Sequence, residues 1–287
     1  MSGTMTRMSG VRRAASQWIL ATTVAAATVL APVAARAHDE RGSDKRARRT
    51  GEDFEWSGRV APGKSIEIKG VNGGIFAEAS TGTEVEVVAR KSGRKSDPDE
   101  VTVEVLEHAD GVTICAVYPT PRGDRPNECG PGEKGRMNTR NNDVQVEYTV
   151  RVPAGVRFIG RTVNGSIEAR GLKADVEAYT VNGSIGLTTR GVARATTVNG
   201  SIDAEMGTSA SDALEFETVN GGITLTVPAG SGAELHASTV NGDISTDFPL
   251  TVRGKFSRRS ITGTIGRGGP PLSMTTVNGD IRLRSAS

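Results

Sequence analysis

The chain has 287 residues, 36 of them Gly, with only 4% Phe, Trp and Tyr and a formal net charge of +2. A core this poor in aromatic residues has to be assembled from Val, Ile, Leu and Ala in a thin, regular cross-section, which suits stacked strands better than a bulky sandwich interior. Four Arg and no acidic residue lie in the first 37 positions, so the remainder carries about −2 and offers no bulk positive charge to a nucleic acid.

Those first positions read as an export signal. Arg7, Arg12 and Arg13 precede an apolar run from Trp18 to about Ala35, and Ala35-Arg36-Ala37 has the small-x-small pattern of a cleavage site. Residues 1–37 are predicted to be a signal peptide, leaving an exported chain that is periplasmic, cell-surface or extracellular. The apolar run is broken by Thr and Pro and falls short of the roughly 20 residues a membrane helix needs, so no transmembrane segment is expected in the mature chain. Residues 38–53 are charged and aperiodic and read as a flexible linker.

Period-two alternation starts near Phe54, as in Ser65-Ile66-Glu67-Ile68-Lys69, and predicts half-buried strands. A β-strand-repeat domain is expected over 54–285. Within it, strand-like runs between 84 and 152 predict a small antiparallel sheet of about four strands, inserted after the first repeat and packed on the others. This insert carries the two cysteines, Cys115 and Cys129. In an exported chain an even count is most simply one disulfide, with free thiols or a metal pair as the other readings.

The repeat itself is Val-Asn-Gly, one small or acidic residue, then Ile. Its Asn-Gly pairs are Asn72-Gly73, Asn164-Gly165, Asn182-Gly183, Asn199-Gly200, Asn220-Gly221, Asn241-Gly242 and Asn278-Gly279, with a worn copy at Ile261-Thr262-Gly263-Thr264-Ile265. From Val163 onward the steps are 18, 17, 21, 21, 21 and 16 residues, a repeat architecture. Asn-Gly between strands is a type I′ hairpin signal, which would make a β-meander of hairpins. A β-solenoid of about eight coils explains more, because stacking keeps Thr, Val and Ile in register as well. In that fold Asn-Gly is a repeated corner, buried Asn side chains bond along the stack, Val and Ile fill the core, and the residue after Gly faces outward. The late residues Val277, Ile281 and Leu283 are expected to form a terminal, poorly capped coil. No helical period occurs, so the fold class is all-β.

The TVNGxI repeats and the lead-in Arg151-Val152-Pro153-Ala154-Gly155 resemble a bacterial family of β-strand-repeat, adhesin-like domains of unknown function. The resemblance implies an exported, right-handed β-solenoid without catalytic residues, and the cysteine loop departs from it.

The chemistry is sparse. His38, His108 and His236 form no ligand pair, and neither a nucleophile elbow nor a Walker loop is present. Asp243 and Asp280 follow Asn-Gly without the spacing of calcium-binding repeats. No catalytic, metal-binding or cofactor-binding residue is expected. The leading reading is a non-enzymatic module that binds a surface, polymer or envelope protein. The alternative is a polysaccharide-active solenoid enzyme using carboxylate rows such as Glu168 and Asp203.

Overall fold

The computed structural model describes residues 48–252 and 257–286, all within the compact unit Lys45–Ser287. The predicted signal peptide and most of the predicted linker lie outside the described residues.

The alternating sequence forms strands almost throughout. They are β1 (Arg49–Thr50), β2 (Phe54–Gly58), β3 (Ser65–Lys69), β4 (Ile75–Ala79), β5 (Val85–Gly93), β6 (Thr102–His108), β7 (Gly111–Val117) and β8 (Gln145–Val152) in the first half. The repeats follow as β9 (Arg157–Arg161), β10 (Ile167–Leu172), β11 (Val176–Tyr179), β12 (Ile185–Thr189), β13 (Ala193–Thr196), β14 (Ile202–Met206), β15 (Leu214–Glu217) and β16 (Ile223–Val227). The last are β17 (Ala233–Asn241), β18 (Ile244–Thr246), β19 (Leu250–Val252), β20 (Ser260–Ile265), β21 (Pro271–Asn278) and β22 (Ile281–Ser285).

Two 11-stranded sheets result. One runs β5-β8-β4-β10-β12-β14-β16-β22-β18, with β1 and β2 on β5, and the other runs β6-β7-β3-β9-β11-β13-β15-β21-β17-β20-β19. Each repeat contributes one strand to each sheet, joined at the Asn-Gly corner. From β9 to β16 each strand pairs in parallel with the next but one, which a hairpin meander cannot do. The architecture is all-β and solenoid-like.

The core lies between the sheets and is built from ladders. Ile75, Ile167, Ile185, Ile202, Ile223, Ile281 and Ile244 stand in one row, and Phe158, Val176 and Ala193 form an inward row of the other sheet. All but Ile244 are at most 2% exposed. Burying one such Ile contributes about 1.5–3 kcal/mol before chain entropy is counted.

Three expectations are corrected. The inserted strands do pair antiparallel, β5 with β8 and β6 with β7, but they form no separate sheet. Instead β8 pairs with β4 and β7 with β3, so the insert extends both sheets of the stack. Left alone, β3 and β4 would present open edges, and inward residues such as Tyr148 and Val150 on β8 continue the rows of Ile75 and Ala77. The loop from Tyr118 to Val144 then occupies the corner position that other turns of the stack fill with Asn-Gly.

The second correction concerns the C-terminus. The last repeat is not terminal in space: β22 lies between β16 and β18, and β21 between β15 and β17. Both edges of this coil are satisfied, so it is an interior coil rather than a poorly capped one. Thirdly, the worn copy Ile261–Ile265 forms no corner. It lies entirely within β20, antiparallel to β17 and β19, where it covers the end of one sheet.

Candidate functional site

The corners stack into columns, and each residue of Thr-Val-Asn-Gly has its own environment. Strand parity decides it: in β9, Phe158 and Gly160 point inward, so Thr162 does too and Val163 turns out. Thr162, Thr180, Thr197, Thr218, Thr276 and Thr239 are 1–6% exposed. Their hydroxyls donate to the corner Gly carbonyl of the preceding turn, as Thr180 Oγ1 does to Gly165 O at 2.9 Å and Thr197 Oγ1 to Gly183 O at 2.9 Å. A buried hydroxyl needs such a partner, and the repeated carbonyl supplies it.

The Val residues are therefore not core residues. Val163, Val181 and Val198 are 37–38% exposed and Val240 is 56% exposed. Val219 and Val277 are half-buried in the same column, and Val71 alone is buried. The core of the corners is Thr and Ile, except at the first, where Gly70 stands in the place of Thr and Val71 is buried. The parity of the strand before the corner carried this signal, which the apolar character of Val obscured.

The Asn side chains form a continuous amide ladder. Nδ2 of Asn164, Asn182, Asn199, Asn220, Asn278 and Asn241 donates to Oδ1 of Asn72, Asn164, Asn182, Asn199, Asn220 and Asn278 respectively, at 2.7–2.9 Å. The ladder is exposed along most of its length rather than buried. The glycines stack beneath it. A Cβ on Gly165, Gly183, Gly200, Gly221, Gly279 or Gly242 would stand 1.9–2.1 Å from the carbonyl oxygen of the glycine on the adjacent turn. Glycine is required by this approach. Positive φ, the basis of the hairpin reading, occurs only at Gly73 and Gly279 among these corners, and at none of the Asn residues.

The residue after Gly is exposed in Ser166, Ser184, Ser201 and Asp243 and half-buried in Gly222 and Asp280. Val, Asn and Ser columns thus form a narrow strip without charge from Val163 to Gly222. At a strand spacing of about 4.8 Å, the six Val rungs from Val163 to Val240 span roughly 24 Å, with Asp280 and Asp243 beside the last two.

The cysteine loop closes one end of this strip. Cys115 of β7 is disulfide-bonded to Cys129. Lys69 reaches under the loop and donates to the carbonyls of Gly130, Gly132 and Lys134 at 2.7–2.9 Å. Desolvation lowers the Lys69 pKa, opposed by the Glu67 carboxylate. Glu67, 2% exposed, accepts from Thr113 Oγ1, Gly132 N and Arg161 Nε at 2.8–3.0 Å. Arg161 also pairs with Glu133 and lies 4.1 Å over the Tyr179 ring, whose hydroxyl is pushed up to about 12 by burial. A buried carboxylate with this many partners is a clamp that fixes the loop. A cavity of about 200 Å³ remains between loop and sheet, lined by Lys69, Val71, Cys115, Glu128, Met137 and Arg161.

The other candidates disperse. Glu168 and Asp203 flank a shallow depression of about 390 Å³ over Gly186, but Glu168 Oε1 is held by Arg170 Nε at 2.7 Å. His108 bonds to Thr113 and His236 to Thr262, on distant strands, while His38 lies outside the described residues. Asp243 and Asp280 occupy adjacent rungs, where Asp243 N donates to Asp280 Oδ1 at 3.0 Å. Among the described residues no group of three His, Cys, Asp or Glu is placed to hold a metal ion.

A family model described as Toastrack DUF4097 matches residues 132–284, more than half of the chain. No curated protein matches the sequence. Among solved structures, one named for cell adhesion from Clostridium sporogenes is 11% identical, covering 82% of this chain and 100% of its own at a TM-score of 0.42. Another, named for adhesin function, from Bacteroides fragilis, is 12% identical, covering 82% of this chain and 97% of its own at a TM-score of 0.36.

Proposed function

Because the chain belongs to the Toastrack DUF4097 family, we propose that it is an exported, non-enzymatic binding module, a right-handed β-solenoid of about eight coils that holds an uncharged linear polymer along its valine strip. The observation that carries this reading is the exposure of Val163, Val181, Val198 and Val240 in a single column. Exposed apolar side chains in a row, held by a rigid stack, offer a preformed contact surface. The strip is only three columns wide, Val, Asn and Ser, too narrow for the roughly 800 Å² per partner of a stable protein interface. It carries no charge over most of its length, which favours a neutral chain over an anionic one. A neutral glycan suits it, since its C–H faces can lie on Val and its hydroxyls can meet the second N–H of each Asn amide.

Export is supported by the sequence of residues 1–37 and by the disulfide, which persists in oxidising compartments. Among the described residues no helix is long and apolar enough to cross a membrane.

The test is a retention assay of residues 38–287 on immobilised neutral glycans, anionic polymers and envelope proteins. The expected result is retention by a neutral glycan and loss of it, by about tenfold, in the Val181→Ser, Val198→Ser double variant, which removes two apolar contacts. Retention by proteins alone, or by glycans equally well in the double variant, overturns the assignment. Release of cleaved sugars would favour the enzymatic alternative.

A further inference from the structure

Seven copies of Asn-Gly share one sequence but not one chemical environment. In any Asn-Gly pair the Gly nitrogen can attack the Asn side-chain carbonyl, because no Cβ shields it. The attack needs a Gly N–H without a partner and an Asn side chain free to turn toward it. The stack denies both at six corners. The N–H groups of Gly73, Gly165, Gly183, Gly200, Gly221 and Gly279 donate to the carbonyl of Asn on the next turn at 2.9–3.0 Å. The Oδ1 atoms of the six Asn residues that precede them each accept from the neighbouring Asn.

Asn241-Gly242 is the exception, because it forms the last corner of the column. Its Nδ2 donates to Asn278 at 2.8 Å, but its Oδ1 accepts nothing among the described residues, and the Gly242 N–H has no partner among them. The next layer passes this corner in two residues. Arg259 O accepts from Thr239 N and Arg258 O from Ile244 N, and among the described residues no carbonyl accepts from Gly242. Asn241 is also exposed.

We propose that Asn241 is a self-modification site of the folded protein, converted to aspartate or isoaspartate with water as the co-reactant. The Gly242 nitrogen, after losing its proton to hydroxide, attacks Asn241 Cγ. The new C–N bond forms, Cγ–Nδ2 breaks, and Nδ2 takes a proton from water and leaves as ammonia, regenerating hydroxide and giving a cyclic imide. Water then opens either carbonyl, returning aspartate, or isoaspartate with one more methylene in the backbone. The new carboxylate lies at the end of the ladder, near Asp243 and the Asp280–Arg282 pair, with Arg258 and Arg259 on the layer above. The isoaspartate form lengthens the turn between β17 and β18. The inference is independent of any ligand.

The six other corners are internal controls, so the test needs no variant. The folded protein is incubated at mildly alkaline pH, and the peptides around all seven Asn-Gly pairs are quantified by mass spectrometry for aspartate and isoaspartate; a parallel sample is incubated in denaturant. The expected result is conversion at Asn241 faster than at each other site by about tenfold or more, the factor imposed by breaking two further hydrogen bonds. In denaturant the seven sites converge. Equal rates in the folded protein, or faster conversion at any interior corner, overturn the proposal.

Discussion

A methyl group on Gly183 would stand 2.1 Å from the Gly165 carbonyl oxygen, whereas on Gly186 its nearest neighbour would be Glu168 Cγ at 3.9 Å. The two glycines are three residues apart and have opposite roles. Gly183 lets two backbones approach; Gly186 sits on an open outward face. Gly183→Ala is therefore expected to cost about 1–3 kcal/mol or more through overpacking, while Gly186→Ala is neutral or stabilises by about 0.4–1 kcal/mol through the unfolded chain. Thermal or urea unfolding of the two variants checks this. Equal effects would refute the stacked-glycine account. The same corner shows why an apolar letter is weak evidence of burial: Val and Thr are both β-branched, yet Thr is inside because its hydroxyl meets a repeated carbonyl.

The strand-to-strand connections hold the insert at several points. The 14-residue separation of Cys115 and Cys129 corresponds to about 3 kcal/mol of loop-closure stabilisation in the chain-entropy model. The far end of the excursion is held by Asp143, whose carboxylate accepts from the backbone N–H groups of Ser96, Lys95 and Arg94 at 2.8–3.3 Å. Those bonds, the one from Ser96 foremost, lower its pKa from 3.8 to about 2. A depressed acid stabilises the fold above its unfolded pKa and loses that contribution as pH falls through the folded value. Asp143→Asn should thus flatten the stability profile between about pH 4 and 2. Denaturant midpoints measured across that window decide the point, and an unchanged profile would remove Asp143 from this role.

At the scale of the whole molecule, the order of coils in space departs from their order in sequence. The coil of β21 and β22 is flanked on both sides by parallel partners, whereas β18 pairs only with β22. In a stack whose stability is mostly nearest-neighbour, an interior coil opens only when its neighbours do. Native-state hydrogen exchange should find Leu272–Thr276 and Ile281–Leu283 as protected as β14 and β16, and Ile244–Thr246 should exchange first. Early exchange across 272–283 would contradict the inserted position. Insertion of a late segment between two others also requires long-range closure, which slows folding.

The sequence by itself determined the strands, the corners and the repeated rows, because period-two alternation and Asn-Gly spacing are local signals that parallel stacking reads directly. The parity that places Thr inside and Val outside was present too, in the strand before each corner. Only the tertiary structure decided which coil neighbours which, since coils with the same TVNGxI letters fit one another equally well and the letters cannot rank them. It also decided that the insert completes both sheets instead of forming its own, because an open edge is satisfied by whichever strand reaches it. Val-Asn-Gly recurs seven times; the end of the column makes Asn241 different, and that end exists only once the chain has folded.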